Sequence, residues 1–411
     1  MTKKLENFEE EIYKCSRCGL CQSVCPVYKV TLNECSVSKA KFTMLNGIIK
    51  GDLVLNEKIK NYMDLCTGCN ACKNFCPSDI DAREIFTAVK SQYYALHKPK
   101  LVERIADSYF LFKSTLHLAR ISFSLYRFFK IDKLADLFYG LLSKIGLKRV
   151  LLLNSLIKHS DVGIVIPTYF ATEQKKAVYF AGCFNNYLNP SSKNALKKIF
   201  NELNIDLEEK KFECCGIAYL SAGKTEEYEK LAIKNLEALG EDFDYVLTDC
   251  ASCAYTLKEY EKYFPCAKEQ ESAQKLAQKT INVLEFLKDK KIIANKPLSI
   301  TVHKPCHEDF DIVDFVKNIQ NVQYVEAEGY DECCGFSGKF ALKYPEISKE
   351  ISKRKSEKLL QTRTDCIITT CPACALGINQ GLIENATHSS AQNKPVYNLI
   401  EFIALTCTVR D

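Results

Sequence analysis

The stretch KFECCGIAYL, Lys211 to Leu220, places two cysteines side by side in front of a glycine, and DECCGFSG, Asp331 to Gly338, does the same further along the chain. Other cysteines keep a similar spacing around both triplets. Three nearly equal offsets indicate an internal duplication. The offsets are 119, 123 and 121 residues, for the pairs Cys214 and Cys333, Cys183 and Cys306, and Cys250 and Cys371.

Both copies alternate apolar runs with helical patterns. KAVYFAGC and YVLTDCASC carry the cysteines of the first copy, and LSITVHKPC and CIITTCPAC carry those of the second. These runs favour buried parallel strands, whereas SSKNALKKIFNEL and EISKEISKRKSEKLL favour helices that cover the sheet. We therefore predict two α/β domains, over residues 173–290 and 291–411. Ligands of such sheets gather at the carboxyl ends of the strands, where these cysteines lie.

Each copy supplies five candidate thiol ligands. Neighbouring side chains on a strand point to opposite faces, so an adjacent cysteine pair can reach one metal centre only from a loop, and the following glycine permits such a loop. Five thiolates exceed what a tetrahedral zinc or one cubane cluster requires, so the spacing leaves open a spare thiol, a cluster of another shape, a zinc site or a vicinal disulfide. The two sets are Cys183, Cys214, Cys215, Cys250 and Cys253, and Cys306, Cys333, Cys334, Cys371 and Cys374.

The N-terminal region, residues 1–100, carries two further cysteine runs, CSRCGLCQSVCPVY and CTGCNACKNFCPSD. Both fit Cys-x2-Cys-x2-Cys-x3-Cys-Pro, the spacing of bacterial ferredoxins with two 4Fe-4S clusters, in which the fourth cysteine ligates the other cluster. Structural zinc sites normally use separated Cys-x-x-Cys pairs instead. The predicted ligands are Cys15, Cys18, Cys21 and Cys76 for one cluster, and Cys66, Cys69, Cys72 and Cys25 for the other.

Composition narrows the class of protein. The chain has 411 residues, is 47% hydrophobic and carries a formal net charge of +5, which allows several domains and argues against a dedicated nucleic-acid binder. The stretch MTKKLENFEEEIYKC shows no signal-peptide pattern, so we expect a cytoplasmic location, where 22 cysteines would stay reduced and favour metal binding. We predict structural roles for the cysteines outside these sets, namely Cys35, Cys266, Cys366 and Cys407.

The middle region, residues 101–172, contains no cysteine and is predicted to be helical. Residues 108–131 contain no acidic side chain, and their basic residues recur along one helical stripe. The pattern suits a helix that docks on anionic lipid or on a partner subunit, and equally a buried helix with a solvated basic edge. The stripe consists of Lys113, His117, Arg120, Arg127 and Lys130.

These motifs together resemble the CCG-domain family, which includes a subunit of heterodisulfide reductase and the iron–sulfur subunits of glycolate oxidase, lactate-utilisation enzymes and anaerobic glycerol-3-phosphate dehydrogenase. The resemblance implies an α+β multidomain chain: an α-helical ferredoxin domain, a helical middle region and two CCG domains. It also implies a non-cubane 4Fe-4S cluster in each five-cysteine set. Relatives often read His-Asp-Pro-Cys-His where this chain has Lys304 between His303 and Pro305, which places a base beside the second set.

No flavin, nicotinamide or nucleotide motif stands out, and no catalytic residue is predicted. The order of parts is most similar to the glycolate oxidase iron–sulfur subunit, which implies an oxidoreductase subunit passing electrons from a flavoprotein that oxidises glycolate or lactate towards membrane quinone. It would sit on the inner face of the cytoplasmic membrane. The alternatives are disulfide reduction at a CCG cluster, a role in a glycerol-3-phosphate or fumarate-linked complex, and a zinc-stapled scaffold.

Overall fold

The computed structural model describes residues 4–97, 111, 113–115, 118, 121, 176–203, 205, 207–264, 267–385 and 394–410. The predicted basic helix 108–131 lies largely outside these residues, as do Cys266 and most of the predicted middle region. Its described residue Lys113 forms an ion pair with Glu213 of the first repeat, with Nζ and Oε1 2.7 Å apart. None of the described helices is long and apolar enough to cross a membrane.

The N-terminal region is helical, as predicted, and SKAKFTMLNGII forms one of its longer helices. Short 3-10 helices occur at Leu5–Phe8 and Glu34–Ser36. Leu45, Met63 and Ile85 are buried in a core that this region builds for itself. The helices are α1 (Glu9–Tyr13), α2 (Leu20–Val24), α3 (Pro26–Thr31), α4 (Ser38–Ile49), α5 (Glu57–Asp64), α6 (Ala71–Asn74) and α7 (Ala82–Leu96).

The first repeat contains the predicted strands and helices in alternation. Its strands are β1 (Ala177–Tyr179), β2 (Leu207–Glu209), β3 (Tyr245–Thr248) and β4 (Thr280–Asn282). Its helices are α8 (Gly182–Tyr187), α9 (Pro190–Glu202), α10 (Ile217–Ser221), α11 (Thr225–Leu239), α12 (Ala251–Lys258), α13 (Ala267–Lys279) and α14 (Val283–Leu287), with a 3-10 turn at Tyr260–Tyr263.

The second repeat follows the same plan. Its strands are β5 (Lys291–Val302), β6 (Gln320–Tyr324), β7 (Cys366–Thr369), β8 (Val396–Asn398) and β9 (Cys407–Arg410). Its helices are α15 (Ile312–Lys317), α16 (Gly338–Lys343), α17 (Pro345–Leu360), α18 (Pro372–Asn385) and α19 (Leu399–Thr406).

The two sheets share one topology. The strand orders are β2-β1-β3-β4 and β6-β5-β7-β8, with every neighbouring pair parallel. The predicted parallel strands are thus confirmed in both copies. Strand β5 is longer than the apolar run LSITV indicates, because its first part pairs antiparallel with β9 at the end of the chain.

The repeats pack against each other through α9 and α19. Phe200 and Leu196 of the first repeat share a core with Phe402 and Ile403 of the second. A buried carboxyl group reinforces this contact: Glu401 accepts hydrogen bonds from Ser192 Oγ at 2.9 Å, from Asn189 Nδ2 at 2.7 Å and from Ser191 Oγ. A buried polar group costs stability unless it is hydrogen-bonded. The two repeats are therefore most stable in the arrangement that lets Ser191, Ser192 and Asn189 donate to Glu401.

Glu401 gives a prediction about pH. Burial raises the pKa of this carboxyl group in the folded protein above its ordinary value, despite the hydrogen bonds from Ser191, Ser192 and Asn189. The folded state then binds more protons than the unfolded state between the two pKa values, so the contribution of Glu401 to stability falls as pH rises through that window. We expect the thermal midpoint of Glu401→Gln to gain on the wild type as pH rises above about 4.5, the ordinary pKa of a glutamate side chain. Parallel pH profiles for the two proteins would contradict this expectation.

The N-terminal region contacts both repeats. Ser91 of α7 and Thr225 of the first repeat have their hydroxyl oxygens 2.9 Å apart. On the second repeat, Glu332 forms an ion pair with Lys29, with Nζ and Oε1 2.8 Å apart, and Arg354 donates a hydrogen bond to the Lys29 carbonyl at 2.7 Å. These contacts place the ferredoxin-type cysteines against the repeats.

Candidate metal centres

The two ferredoxin-type runs share one backbone conformation. Arg17 and Gly19 in the first run, and Gly68 and Asn70 at the matching places in the second, all have positive φ. These left-handed residues curl each loop so that successive cysteines face inward, and short helices, α2 and α6, follow at matching positions. Pro26 then begins α3 directly after the fourth cysteine of the first run. Equal spacing in the sequence has therefore produced equal loops.

The first predicted ligand set lies together. Cys15, Cys18, Cys21 and Cys76 line one small cavity of about 30 Å³, which Cys72 also touches. The fourth member, Cys76, comes from the second run, as the exchange of the final cysteine predicts.

The second predicted set lies together as well. Burial raises the pKa of the Cys25 thiol to about 12, and the neighbouring thiols of Cys66 and Cys69 add to the shift. Burial also raises the pKa of Cys72, with Cys66, Cys69 and Cys25 contributing. The backbone N–H of Gly68 donates to Cys66 Sγ at 3.4 Å. A cysteine must lose its thiol proton to bind a metal, so metal binding at these sites would release protons.

All ten cysteines of the two five-cysteine sets line a single cavity of about 220 Å³. They lie at the carboxyl ends of the central strands, or in the loops beside them, as predicted. Each set forms an unbroken series of thiol contacts. The contacts are Cys183 with Cys214, Cys214 with Cys215, Cys215 with Cys253 and Cys253 with Cys250 in the first set, and Cys306 with Cys333, Cys333 with Cys334, Cys334 with Cys374 and Cys374 with Cys371 in the second.

Two contacts connect the sets with each other and with the ferredoxin-type region. Cys250 of the first repeat hydrogen-bonds to Cys371 of the second. Cys333 of the second repeat hydrogen-bonds to Cys69 of the N-terminal region and thereby raises the pKa of the Cys69 thiol. The thiols thus form one continuous series from the ferredoxin-type loops to the first repeat.

Both Cys-Cys-Gly triplets form the same turn. Gly216 and Gly335 have φ of 90° and 81°, and each donates its N–H at 3.4 Å to the sulfur two residues earlier, Cys214 or Cys333. Left-handed backbone of this kind favours glycine. The turn lets both adjacent thiols face the cavity. Two neighbouring cysteines on a regular strand would point to opposite faces of the sheet.

Buried polar side chains hold these turns from behind, and sequence reasoning missed them. In the first repeat Asn235 donates to the Cys214 carbonyl at 3.1 Å and Tyr260 donates to the Cys215 carbonyl at 3.0 Å. In the second, Ser352 donates to the Cys334 carbonyl at 2.8 Å and Ser348 to the Gly335 carbonyl at 2.9 Å. Polar residues on the buried faces of α11 and α17 were the available signal.

An interdomain stack closes one side of the cavity. The guanidinium of Arg83, on α7, lies 4.2 Å from the ring centroid of Tyr255, which stacks on His307 with centroids 4.8 Å apart. Ser252 lies between the repeats, with Oγ 3.2 Å from His307 Nδ1 and 3.6 Å from Cys371 Sγ. Burial, with Arg83 nearby, lowers the pKa of His307 to about 4, so this imidazole is neutral at physiological pH.

The donor chemistry fits iron–sulfur groups. Soft thiolates select zinc, copper(I) and iron–sulfur clusters, and the four-cysteine runs match cluster ligation. Gly182 leaves room at the first repeat, since a Cβ there would lie 2.8 Å from Cys253 Sγ. His303 Nε2 and His307 Nε2 are buried without a hydrogen-bond partner among the described residues. Buried polar atoms normally have a partner, so a group bound by the thiols could interact with these two nitrogens.

Comparisons with known protein families agree with this arrangement. Residues 177–258 and 300–379 match the model of the CCG cysteine-rich domain, and residues 11–80 match that of a 4Fe-4S dicluster domain. These matches indicate iron–sulfur clusters. They also coincide with the two sheets and with the N-terminal helical region.

Individual relatives are similar over much of the chain. A probable glycolate oxidase iron–sulfur subunit of Bacillus subtilis is 24% identical over 91% of this chain and 90% of its own. Lactate utilization protein A of Lysinibacillus sphaericus is 32% identical over 40% of this chain and 77% of its own. A subunit of the fumarate reductase (CoM/CoB) of Methanothermobacter marburgensis is 29% identical over half of this chain, which spans 42% of that protein.

A solved structure shares the fold. The crystal structure of a hypothetical protein from Helicobacter pylori aligns with 98% of this chain and 75% of its own, with a TM-score of 0.54 and 11% sequence identity. The paired cysteine-rich domains, the dicluster domain and the similarity to lactate utilization protein A identify this chain as a member of the CCG-domain iron–sulfur oxidoreductase family.

Proposed function

We propose that this protein is the electron-transfer subunit of a 2-hydroxyacid dehydrogenase complex, with a flavoprotein partner that oxidises glycolate or lactate. The observation that carries the proposal is the continuous series of thiols, from the ferredoxin-type loops through Cys69 and Cys333 to the second repeat, and through Cys371 and Cys250 to the first. Bound iron–sulfur clusters supply one-electron chemistry.

The chain's own residues determine how such clusters would be held. Cys15, Cys18, Cys21 and Cys76 would bind one 4Fe-4S cluster, and Cys66, Cys69, Cys72 and Cys25 the other. The two five-cysteine sets would each bind a non-cubane 4Fe-4S group, as the resemblance to the CCG-domain family implies. Eight of the ten thiols in these sets are buried, and the N–H groups of Gly216 and Gly335 donate to sulfur. Burial and hydrogen bonds to sulfur are two of the means by which proteins set cluster potentials.

The partner proposal rests on the relatives. The names of the Bacillus subtilis and Methanothermobacter marburgensis relatives describe subunits, which supports an assembly with further subunits here. We propose that electrons pass towards membrane quinone and that the protein is cytoplasmic, bound peripherally to the membrane or to a membrane subunit. The basic stripe within residues 108–131 would provide the docking surface.

A second candidate function is reduction of a disulfide substrate at the second repeat. A groove of about 780 Å³ between the N-terminal region and the second repeat reaches Cys69, Cys306 and Cys333. Cys306 is exposed, which would give a substrate access to this set. Basic side chains border the groove, namely Lys29, Lys304, Arg354, Lys355 and Lys358.

Metal analysis of anaerobically purified protein tests the proposal. We expect about 16 irons and a matching amount of acid-labile sulfide per chain, with more than one type of electron paramagnetic resonance signal. About 8 irons with one or two zincs would reject the proposed CCG clusters and confine electron transfer to the ferredoxin domain.

The fully loaded protein then separates the two functions. Co-purification with a flavoprotein, and reduction of the clusters by that partner with glycolate or lactate, are the results expected of the subunit. Steady reduction of a disulfide by the isolated protein, with a reduced viologen as donor, would favour the second candidate. Metal-depleted protein is the control in both assays.

A further inference from the structure

Phe180 and His303 occupy the same place in the two repeats. Each lies three residues before the first cysteine of its set, just after the central strand, β1 or β5. Each also donates its backbone N–H to the neighbouring strand at 2.8 Å, Phe180 to the Leu247 carbonyl and His303 to that of Ile368. The duplication has therefore kept the backbone and exchanged an apolar ring for an imidazole.

The His303 ring is completely buried, and its two nitrogens have different surroundings. Nδ1 lies 3.3 Å from the Tyr330 carbonyl oxygen, which can only accept a hydrogen bond, so Nδ1 carries the proton. Nε2 therefore presents its lone pair and has no hydrogen-bond partner among the described residues. A ring nitrogen of His303 and the sulfurs of Cys334 and Cys374 all lie within 4.8 Å of one another.

A purely structural role for His303 would explain the contact of Nδ1 with Tyr330 but not the unpaired Nε2. The contact with Tyr330 could serve to hold the loop, yet it leaves Nε2 buried and unsatisfied, which is costly. Neutral imidazole with its second nitrogen fixed by a backbone carbonyl is the usual form of a metal-bound histidine.

We propose that His303 Nε2 is a nitrogen ligand of the metal group held by the second five-cysteine set, so that the two repeats hold chemically different centres. This inference rests on the proposed function, in which that set binds an iron–sulfur group. At the matching place the first repeat has Phe180, whose side chain offers no ligand atom. A neutral imidazole on iron in the place of one of the set's five anionic thiolates raises the potential of an iron–sulfur centre, so the second centre would have a higher potential than one bound by all five cysteines.

The inference is tested by pulsed electron paramagnetic resonance on protein purified anaerobically from cells given ⁵⁷Fe and ¹⁵N-histidine. Wild type, His303→Phe and His303→Gln are compared during a redox titration. Phe reproduces the residue of the first repeat, and Gln keeps a donor for the Tyr330 carbonyl without an imidazole. We expect a strong histidine nitrogen coupling in the wild type, its loss in both variants, and a lower potential for one centre. His307→Gln should retain the coupling.

Each outcome bears on a definite claim. A wild type with about 16 irons but no histidine coupling, or a coupling lost in His307→Gln and kept in His303→Phe, overturns the role of His303 and leaves the proposed function intact. A wild type with about 8 irons rejects the proposed clusters themselves. If the second centre reaches no paramagnetic state, the Mössbauer spectra decide: a change confined to the His303 variants supports ligation, and identical spectra overturn it.

Discussion

The Cys334→Ala protein is expected to contain about 12 irons per chain where the wild type contains about 16, because one four-iron group loses a ligand at the centre of its set. Cys334 is buried and contacts both Cys333 and Cys374, so no other thiol can take its place without moving the turn. We also expect the variant to accept one electron fewer in a reductive titration. The rate of electron transfer through the chain should fall at least about 10-fold, because even mutations of residues that only contact metal ligands have effects of this size.

Cys407→Ala is the matched control for this experiment. Cys407 is buried to a similar degree, at 6% exposure against 4% for Cys334, but it lies in β9 and pairs with Ala294. It behaves as a small hydrophobic residue, so the same substitution should leave the iron content and the number of accepted electrons unchanged. Equal iron in Cys334→Ala and the wild type would remove Cys334 from the ligand set, whereas equal losses in both variants would point to general destabilisation.

Local spacing was sufficient to predict much of this molecule. The Cys-x2-Cys-x2-Cys-x3-Cys-Pro runs predicted two loops that exchange their last cysteine, and Cys76 does lie with Cys15 in the structure. Apolar runs before Cys183 and Cys306 predicted strands, because a buried parallel strand needs an unbroken apolar segment. The equal offsets between copies predicted one topology repeated, and both sheets have it.

Contacts between residues that are far apart in the sequence could not be predicted from local spacing. The contact of Cys69 with Cys333 joins residues that are far apart in sequence, and it depends on how α3 and α7 lie against the repeats. The meeting of Cys250 with Cys371 likewise depends on the angle between two similar domains, which no periodicity encodes. The local sequence gives no sign that Glu401 is buried, because its partners Ser191 and Ser192 belong to the other repeat.

Gly335→Ala should destabilise the protein far more than Gly51→Ala, although the two glycines have almost the same φ angle. Their φ values are 81° and 80°, so each alanine would incur the left-handed cost of about 1 to 2 kcal/mol. A Cβ on Gly51 would meet nothing within 4 Å, whereas on Gly335 it would lie 2.8 Å from Ile351 Cβ and 2.9 Å from the Ser348 carbonyl oxygen. Overpacking of this kind adds about 1 to 3 kcal/mol.

The difference between the two variants therefore isolates the packing of the Cys-Cys-Gly turn. We expect a clearly lower thermal midpoint for Gly335→Ala and a loss of about four irons per chain, since Cys333 and Cys334 sit on the displaced turn. Gly51→Ala should retain its full iron content. If both variants lost the same stability and kept all their iron, the turn would tolerate a side chain, and close packing of α17 against Gly335 could not be what holds the paired thiols in the cavity.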